Sequence, residues 1–288
     1  MNKFFNPEIT SWSSLVQRPL YSLDSVKDVV DGIFNNVELY GDKSLIDYTN
    51  KFDNVKLTDL KINADKISNS EKNIDKELKD AINIAFDNIY KFHENQIYKS
   101  KKIETTKGVL CWQEKRAIEN VGLYIPGGTA PLFSSVLMLA IPAMIAQCKN
   151  IVLCSPPDKN GELHPAILYC AKLCKIDTVI SVGGAQSIAA MSLGTETVPK
   201  VNKIFGPGNQ FVTYAKLKSI NFNTAIDMPA GPSELLVVAD KYANPNYIAS
   251  DLLSQAEHGP DSQVIFVSLS KSLIDDVEKC IYDQIKNL

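Results

Sequence analysis

Apolar residues recur at two different spacings along the chain, and the change falls near residue 108. In the first hundred positions the spacing is helical. Val26, Val29, Val30, Ile33 and Val37 form one stripe, with Ser25 placed to cap it and Gly41-Asp42 to break it. A short helix over 44–52 follows. Ile74, Leu78, Ile82, Ala85, Ile89 and Phe92 then recur every ~3–4 residues behind Ser68-Asn69-Ser70-Glu71, while Lys72, Lys76, Lys79 and Asp80 face water. Residues 1–20 carry no such stripe and read as an irregular arm. Beyond residue 108, short apolar runs alternate with helical segments. The pattern predicts strands over 109–112, 121–124, 151–154, 178–182, 203–205, 235–240 and 264–268. Helices are predicted over 133–147 (with a kink at Pro142), 165–174, 186–193, 209–219 and 245–258, with a last one carrying Leu273, Val277, Ile281 and Ile285. That alternation means βαβ units and parallel sheets covered on both faces. The weakly patterned segment 221–227 is placed as the return between two domains.

Composition narrows the class. A chain of 288 residues is long enough for about two domains with separate cores. Hydrophobic residues at 45% and charged residues at 22% are those of an ordinary globular protein, and a formal charge of −3 gives no electrostatic support for a nucleic-acid partner. Six cysteines lie mostly in apolar runs without a CxxC pair, so they read as reduced core residues of a cytoplasmic protein. The N-terminus lacks the apolar region of a secretory signal. The most apolar run, 131–148, contains two serines and Pro142 and reads as a buried helix, which leaves no membrane partner.

Candidate chemistry sits where strands hand over to helices, at Tyr124–Pro131, Gly183–Ser187 and Gly206–Gln210. In a doubly wound sheet such turns line the carboxyl edge where ligands bind, and glycines let the backbone approach a ligand closely. None matches GxGxxG, and each alone also fits a simple turn needing positive φ. On the segment that ends at Gly259-Pro260, Gln255 and His258 are three apart and would leave one helix face, as a pair of Zn²⁺ ligands or as a plain surface pair. Ser233, after Pro232, fits a turn hydroxyl.

Five motifs together are more specific. Tyr124-Ile125-Pro126-Gly127-Gly128, Gly183-Gly184-Ala185-Gln186, Phe205-Gly206-Pro207-Gly208-Asn209, Asp227-Met228-Pro229-Ala230-Gly231-Pro232-Ser233-Glu234 and Ser254-Gln255-Ala256-Glu257-His258-Gly259-Pro260-Asp261 resemble histidinol dehydrogenases in order and spacing. Gly41–Thr49 with Lys51-Phe52-Asp53 fits that family's N-terminal helices. The resemblance implies an α/β fold with two incomplete Rossmann-like, aldehyde-dehydrogenase-like domains and parallel sheets, plus a small N-terminal arm. The expected division is an arm over 1–20, a discontinuous domain over 21–117 and 227–288 carrying the zinc and substrate residues, and an inserted NAD-binding domain over 118–226. It implies a cytoplasmic homodimer that uses Zn²⁺ and NAD to oxidise L-histidinol through L-histidinal to L-histidine. Carried over by position, Tyr124, Gln186 and Asn209 would contact NAD, Ser233 would contact substrate, and Gln255 and His258 would bind both zinc and substrate.

The pattern also departs from the family. Its Ala-Pro-Glu-His-Leu motif, whose Glu-His pair transfers protons, has no counterpart up to Leu288, nor do the further Asp and His zinc ligands. A zinc site needs about four ligands. The expectation is therefore a C-terminally incomplete chain, inactive alone, whose catalytic residues lie beyond Leu288. Two other readings stay open: a related zinc/NAD dehydrogenase of another small polar alcohol, and a non-catalytic nucleotide-binding module.

Overall fold

The computed structural model describes residues 1–17, 24–98, 100–127, 131–229, 234–257 and 262–286. The chain forms two compact units, one of Leu23–Pro229 and one of Met1–Ser22 with Ala230–Leu288. Within the larger unit, the helices of residues 24–94 bury their apolar stripes on the strands of the central sheet.

The larger unit is built on five parallel strands, β3 (Asn120–Tyr124), β4 (Asn150–Ser155), β5 (Thr178–Ser181), β6 (Lys203–Phe205) and β7 (Ala225–Ile226). They lie in the order β5-β4-β3-β6-β7, every neighbouring pair parallel. Segment 60–62 adds an antiparallel edge to β5, with Ile62 N–H donating to Val179 O and Ser181 N–H to Leu60 O. Within the same unit, β1 (Ile103–Thr106) and β2 (Val109–Cys111) form an antiparallel hairpin of which only β2 was legible as a strand.

Both sheet faces are buried, so strand residues alternate between two cores. One core takes Tyr124, Val152, Cys154, Ile180 and Ile204 against α2 (Asp24–Asp53), α7 (Gly184–Leu193) and α8 (Gln210–Ser219). The other takes Leu123, Ile125, Leu153 and Val179 against α4 (Lys76–Glu94), α5 (Phe133–Ile145) and α6 (Pro165–Leu173). Gly122 on β3 is where a helix comes closest: an added Cβ would sit 2.5 Å from the Met191 sulfur of α7.

The helical stripes hold with adjusted ends. α2 is two helices joined at Gly41, whose φ of 52° and ψ of −131° are not helical, as the Gly41-Asp42 break predicts. Asp42 fixes that corner by accepting from the Thr195 and Thr197 hydroxyls, while Asp42 N–H donates to Glu196 Oε2 at 2.8 Å. The side chain of Ser25 lies outside the described residues. The long helix starts later than its leading serines suggest. Ala64–Asn69 forms α3 and Ser70–Asn73 a single 3₁₀ turn, and Asp75 caps α4 by accepting from Leu78 N–H at 2.7 Å. Phe92, at the end of the predicted stripe, is exposed.

In the smaller unit the N-terminal arm is not wholly irregular: Ile9–Leu15 forms α1, and Lys3 pairs with Asp275 at 2.9 Å and with Glu278 at 2.5 Å. Strands β8 (Glu234–Ala239) and β9 (Gln263–Ser268) pair in parallel over six positions. Leu235, Val237, Val264 and Phe266 pack with Ile248 and Leu252 of α9 (Pro245–Ala256) and Leu273 and Val277 of α10 (Lys271–Ile285). Leu236, Val238 and Val267 of the opposite sheet face are exposed. No helix among the described residues is long and apolar enough to cross a membrane.

Candidate active site

The strand order sets the place of the site. Counted within the larger unit, β5-β4-β3-β6-β7 runs third, second, first, fourth, fifth, so the direction of winding reverses between β3 and β6. At such a switch point the connections leave on opposite faces and open a crevice at the carboxyl ends. Tyr124 ends β3, and Gly206 follows the last residue of β6. Pro156 follows β4 and Gly183 comes two residues after β5. Pro156, not singled out from the sequence, is the hub of this edge: a Cβ on Gly127 would fall 2.6 Å from its Cγ, and one on Gly183 2.5 Å from its Cβ. Only glycines let the two turns close on that ring.

Tyr124 is 4% exposed and faces the α2 core. Gly184 N–H, at the start of α7, donates to its Oη at 3.3 Å. Burial pushes the phenol from 10.0 up to about 12; the Gly184 hydrogen bond opposes this, and the charge of Asp53 adds to it. Tyr124 is therefore a protonated hydroxyl, a hydrogen-bonding group and not a base. Gln186 lies in the first turn of α7, 2% exposed, with its carboxamide folded back so that a Cβ on Gly184 (φ 64°) would meet its Oε1 at 2.7 Å. Asn209 caps α8, its Oδ1 accepting from Val212 N–H at 3.1 Å. The structure thus brings Tyr124, Gln186 and Asn209 to one sheet edge, on the turns that follow β3, β5 and β6.

Several acceptors at this edge have no partner. Asp53 Oδ2, Ser181 Oγ at the end of β5 and Gln210 Oε1 at the start of α8 are buried without a hydrogen bond among the described residues. Burial raises the Asp53 carboxyl above the ordinary carboxylate value. Buried polar atoms normally find partners, and exceptions need an explanation such as a missing ligand. A ligand rich in hydroxyl and amide donors fits this edge, as a dinucleotide is. The Lys51-Phe52-Asp53 motif was visible in the sequence, but its approach to Tyr124 was not.

In the smaller unit, Gln255 sits in the last turn of α9, half-buried, and its Nε2 donates to Ser262 Oγ at 3.4 Å. The helix ends at Ala256 with Glu257 as its cap, two residues sooner than the predicted span. Ser233 and His258 lie outside the described residues. Among the described residues no three His, Cys, Asp or Glu side chains cluster in a way that could hold a metal ion. A carboxamide oxygen at Gln255 is a donor that zinc accepts, but by itself it is one ligand of a set of about four.

The histidinol dehydrogenase family model matches residues 16–288. The chain belongs to that family. Histidinol dehydrogenase of Bacteroides fragilis (strain ATCC 25285) is 53% identical over 94% of this chain and 63% of its own length. That of Escherichia coli (strain K12) is 50% identical over 95% of this chain and, again, 63% of its own. The crystal structure of histidinol dehydrogenase from Elizabethkingia anophelis superposes with a TM-score of 0.90 at 50% identity, covering 99% of this chain and 66% of that one. The chain thus spans a little under two thirds of the length of these relatives. The α/β architecture with parallel sheets is that of the family, as the five motifs implied.

Proposed function

We propose that the carboxyl edge of the larger unit binds NAD, and that the whole protein oxidises L-histidinol through L-histidinal to L-histidine with zinc as the metal. The observation that carries the reading is the convergence of Tyr124, Gln186 and Asn209 at the β3/β6 switch point, beside buried acceptors that lack partners. The family membership and the identity of about half the residues support the choice of reaction. Bound NAD supplies the hydride acceptor.

The chain's own residues bind and orient. Tyr124, whose oxygen accepts from Gly184 N–H, would donate its O–H to the dinucleotide, with the Gln186 carboxamide and the Asn209 amide N–H groups as further contacts. On this reading Gln255 and His258 supply an oxygen and a nitrogen to zinc, a donor pair that suits a borderline cation, and Ser233 contacts substrate. Held by Gln255 and His258, a zinc ion would supply a Lewis-acidic anchor, and the role of these two side chains would be to position the substrate's alcohol carbon for hydride transfer. A homodimer and a cytoplasmic location belong to the same reading, and six cysteines that are all free thiols support the location. The test is NADH absorbance on mixing the whole gene product with zinc, NAD⁺ and L-histidinol. Histidinol-dependent NADH formation is expected, and its absence at every zinc concentration refutes the assignment.

A further inference from the structure

Gly206, between β6 and α8, has both of its backbone polar groups held by side chains from elsewhere in the chain. Its N–H donates to Asp227 Oδ2 at 2.8 Å, and its C=O accepts from Lys216 Nζ at 2.7 Å. Lys216 and Asp227 are also ion-paired with each other, the lysine side chain only 6% exposed. Side chains on a helix lean toward its N-terminus, so Lys216, in the last turn of α8, reaches back along its own helix to the turn that starts it. Asp227 comes from just beyond β7, on the sheet's far side of β6.

An ion pair with a buried lysine and a partly exposed aspartate, here 6% and 28% exposed, is a poor device for stability alone, since desolvation offsets the attraction and apolar replacements often serve as well. What this pair does that apolar side chains cannot is to give an acceptor to the N–H and a donor to the C=O of one residue, and so to hold both peptide units that flank Gly206. That fixes the tilt of the Gly206-Pro207-Gly208-Asn209 turn. The turn presses on β3: Gly206 has a φ of 134°, and an added Cβ would lie 2.9 Å from the Tyr124 carbonyl carbon. The orientation of Asn209 and the first N–H groups of α8, one wall of the switch-point crevice, therefore follows from the Lys216–Asp227 pair.

From this geometry we propose that Lys216 and Asp227 are positioning residues for the dinucleotide, holding the β6–α8 turn in its binding orientation without touching the ligand. The inference rests on the dinucleotide reading of this edge. The experiment measures the dissociation constant for NAD⁺ by calorimetry in the wild type, Lys216→Met, Asp227→Asn, Lys216→Arg and, as a control, Leu168→Ala in the opposite core. Amide exchange at Gly206 is followed in the same proteins without ligand. A folded Lys216→Met is expected to bind NAD⁺ at least about tenfold more weakly and to exchange Gly206 N–H faster. Lys216→Arg should recover part of the affinity, and Leu168→Ala, though destabilised, should bind as the wild type does. If Lys216→Met does not fold, Asp227→Asn against Lys216→Arg decides on the same ratio. Unchanged affinity in a folded variant that breaks the pair overturns the positioning role, and so does an equal loss in Leu168→Ala. A wild-type protein that binds no NAD⁺ refutes the dinucleotide reading itself.

Discussion

Replacing Gly206 by alanine adds one methyl group at the point where β6 turns against β3. Its φ of 134° lies where a residue with a Cβ is strained, a cost of about 1–3 kcal/mol. The methyl would also overlap the Tyr124 carbonyl, with the carbonyl carbon 2.9 Å away. Neither side can yield easily, because β3 is held by β4 on one edge and β6 on the other. Overpacking of that kind adds roughly 1–3 kcal/mol, for a total of about 4. At about 2–4 °C per kcal/mol for a unit of 150–250 residues, the melting temperature should fall by about 8–16 °C. Thermal unfolding followed by circular dichroism measures this directly. Gly32→Ala is the matched control, since Gly32 lies inside α2 with nothing within 4 Å of the new methyl. There alanine should stabilise by up to about 1 kcal/mol through helix propensity. A Gly206→Ala protein melting within about 2 °C of the wild type would refute the reasoning, since that is under 1 kcal/mol at this size.

Two further outcomes concern pH. Burial pushes the thiols of Cys154, Cys170 and Cys174 from 9.0 up to about 12 and Tyr124 from 10.0 to about 12, so the fold favours their protonated forms. Above pH 9 the unfolded chain releases these protons before the folded one does, and stability should drop steadily from pH 9 toward 12; a melting temperature constant up to pH 11 would contradict it. Asp53, also raised by burial and with Oδ2 unpartnered, works in the acid range. Its ionisation costs the folded state stability that is intact below the ordinary carboxylate value and lost as pH rises through the folded one. Asp53→Asn should therefore raise the melting temperature at pH 7 more than at pH 4, by part of the ~1–3 kcal/mol that an unsatisfied buried group costs. An equal shift at both pH values would show that desolvation is not the cause.

Periodicity and turn chemistry in the sequence were enough to locate most helices and strands, though not α1, α3, β1 or β7, to make the β3–β7 and β8–β9 sheets parallel, and to put Tyr124, Gln186 and Asn209 on strand-to-helix turns. Those properties are local: a residue's spacing reports which of its faces is buried. Spacing does not report what buries that face. That the helices of residues 24–94 cover the sheet of 120–226, that β6 lies beside β3 and so opens the crevice there, and that the charge of Asp53 acts on Tyr124 all depend on contacts between segments far apart in the chain. The same holds for the grip of Lys216 and Asp227 on Gly206, from 10 and 21 residues away. Pairings of that range are chosen by which combination of elements removes the most apolar surface from water while leaving the fewest buried polar groups alone, a property of the whole packed unit that no single stretch of sequence carries.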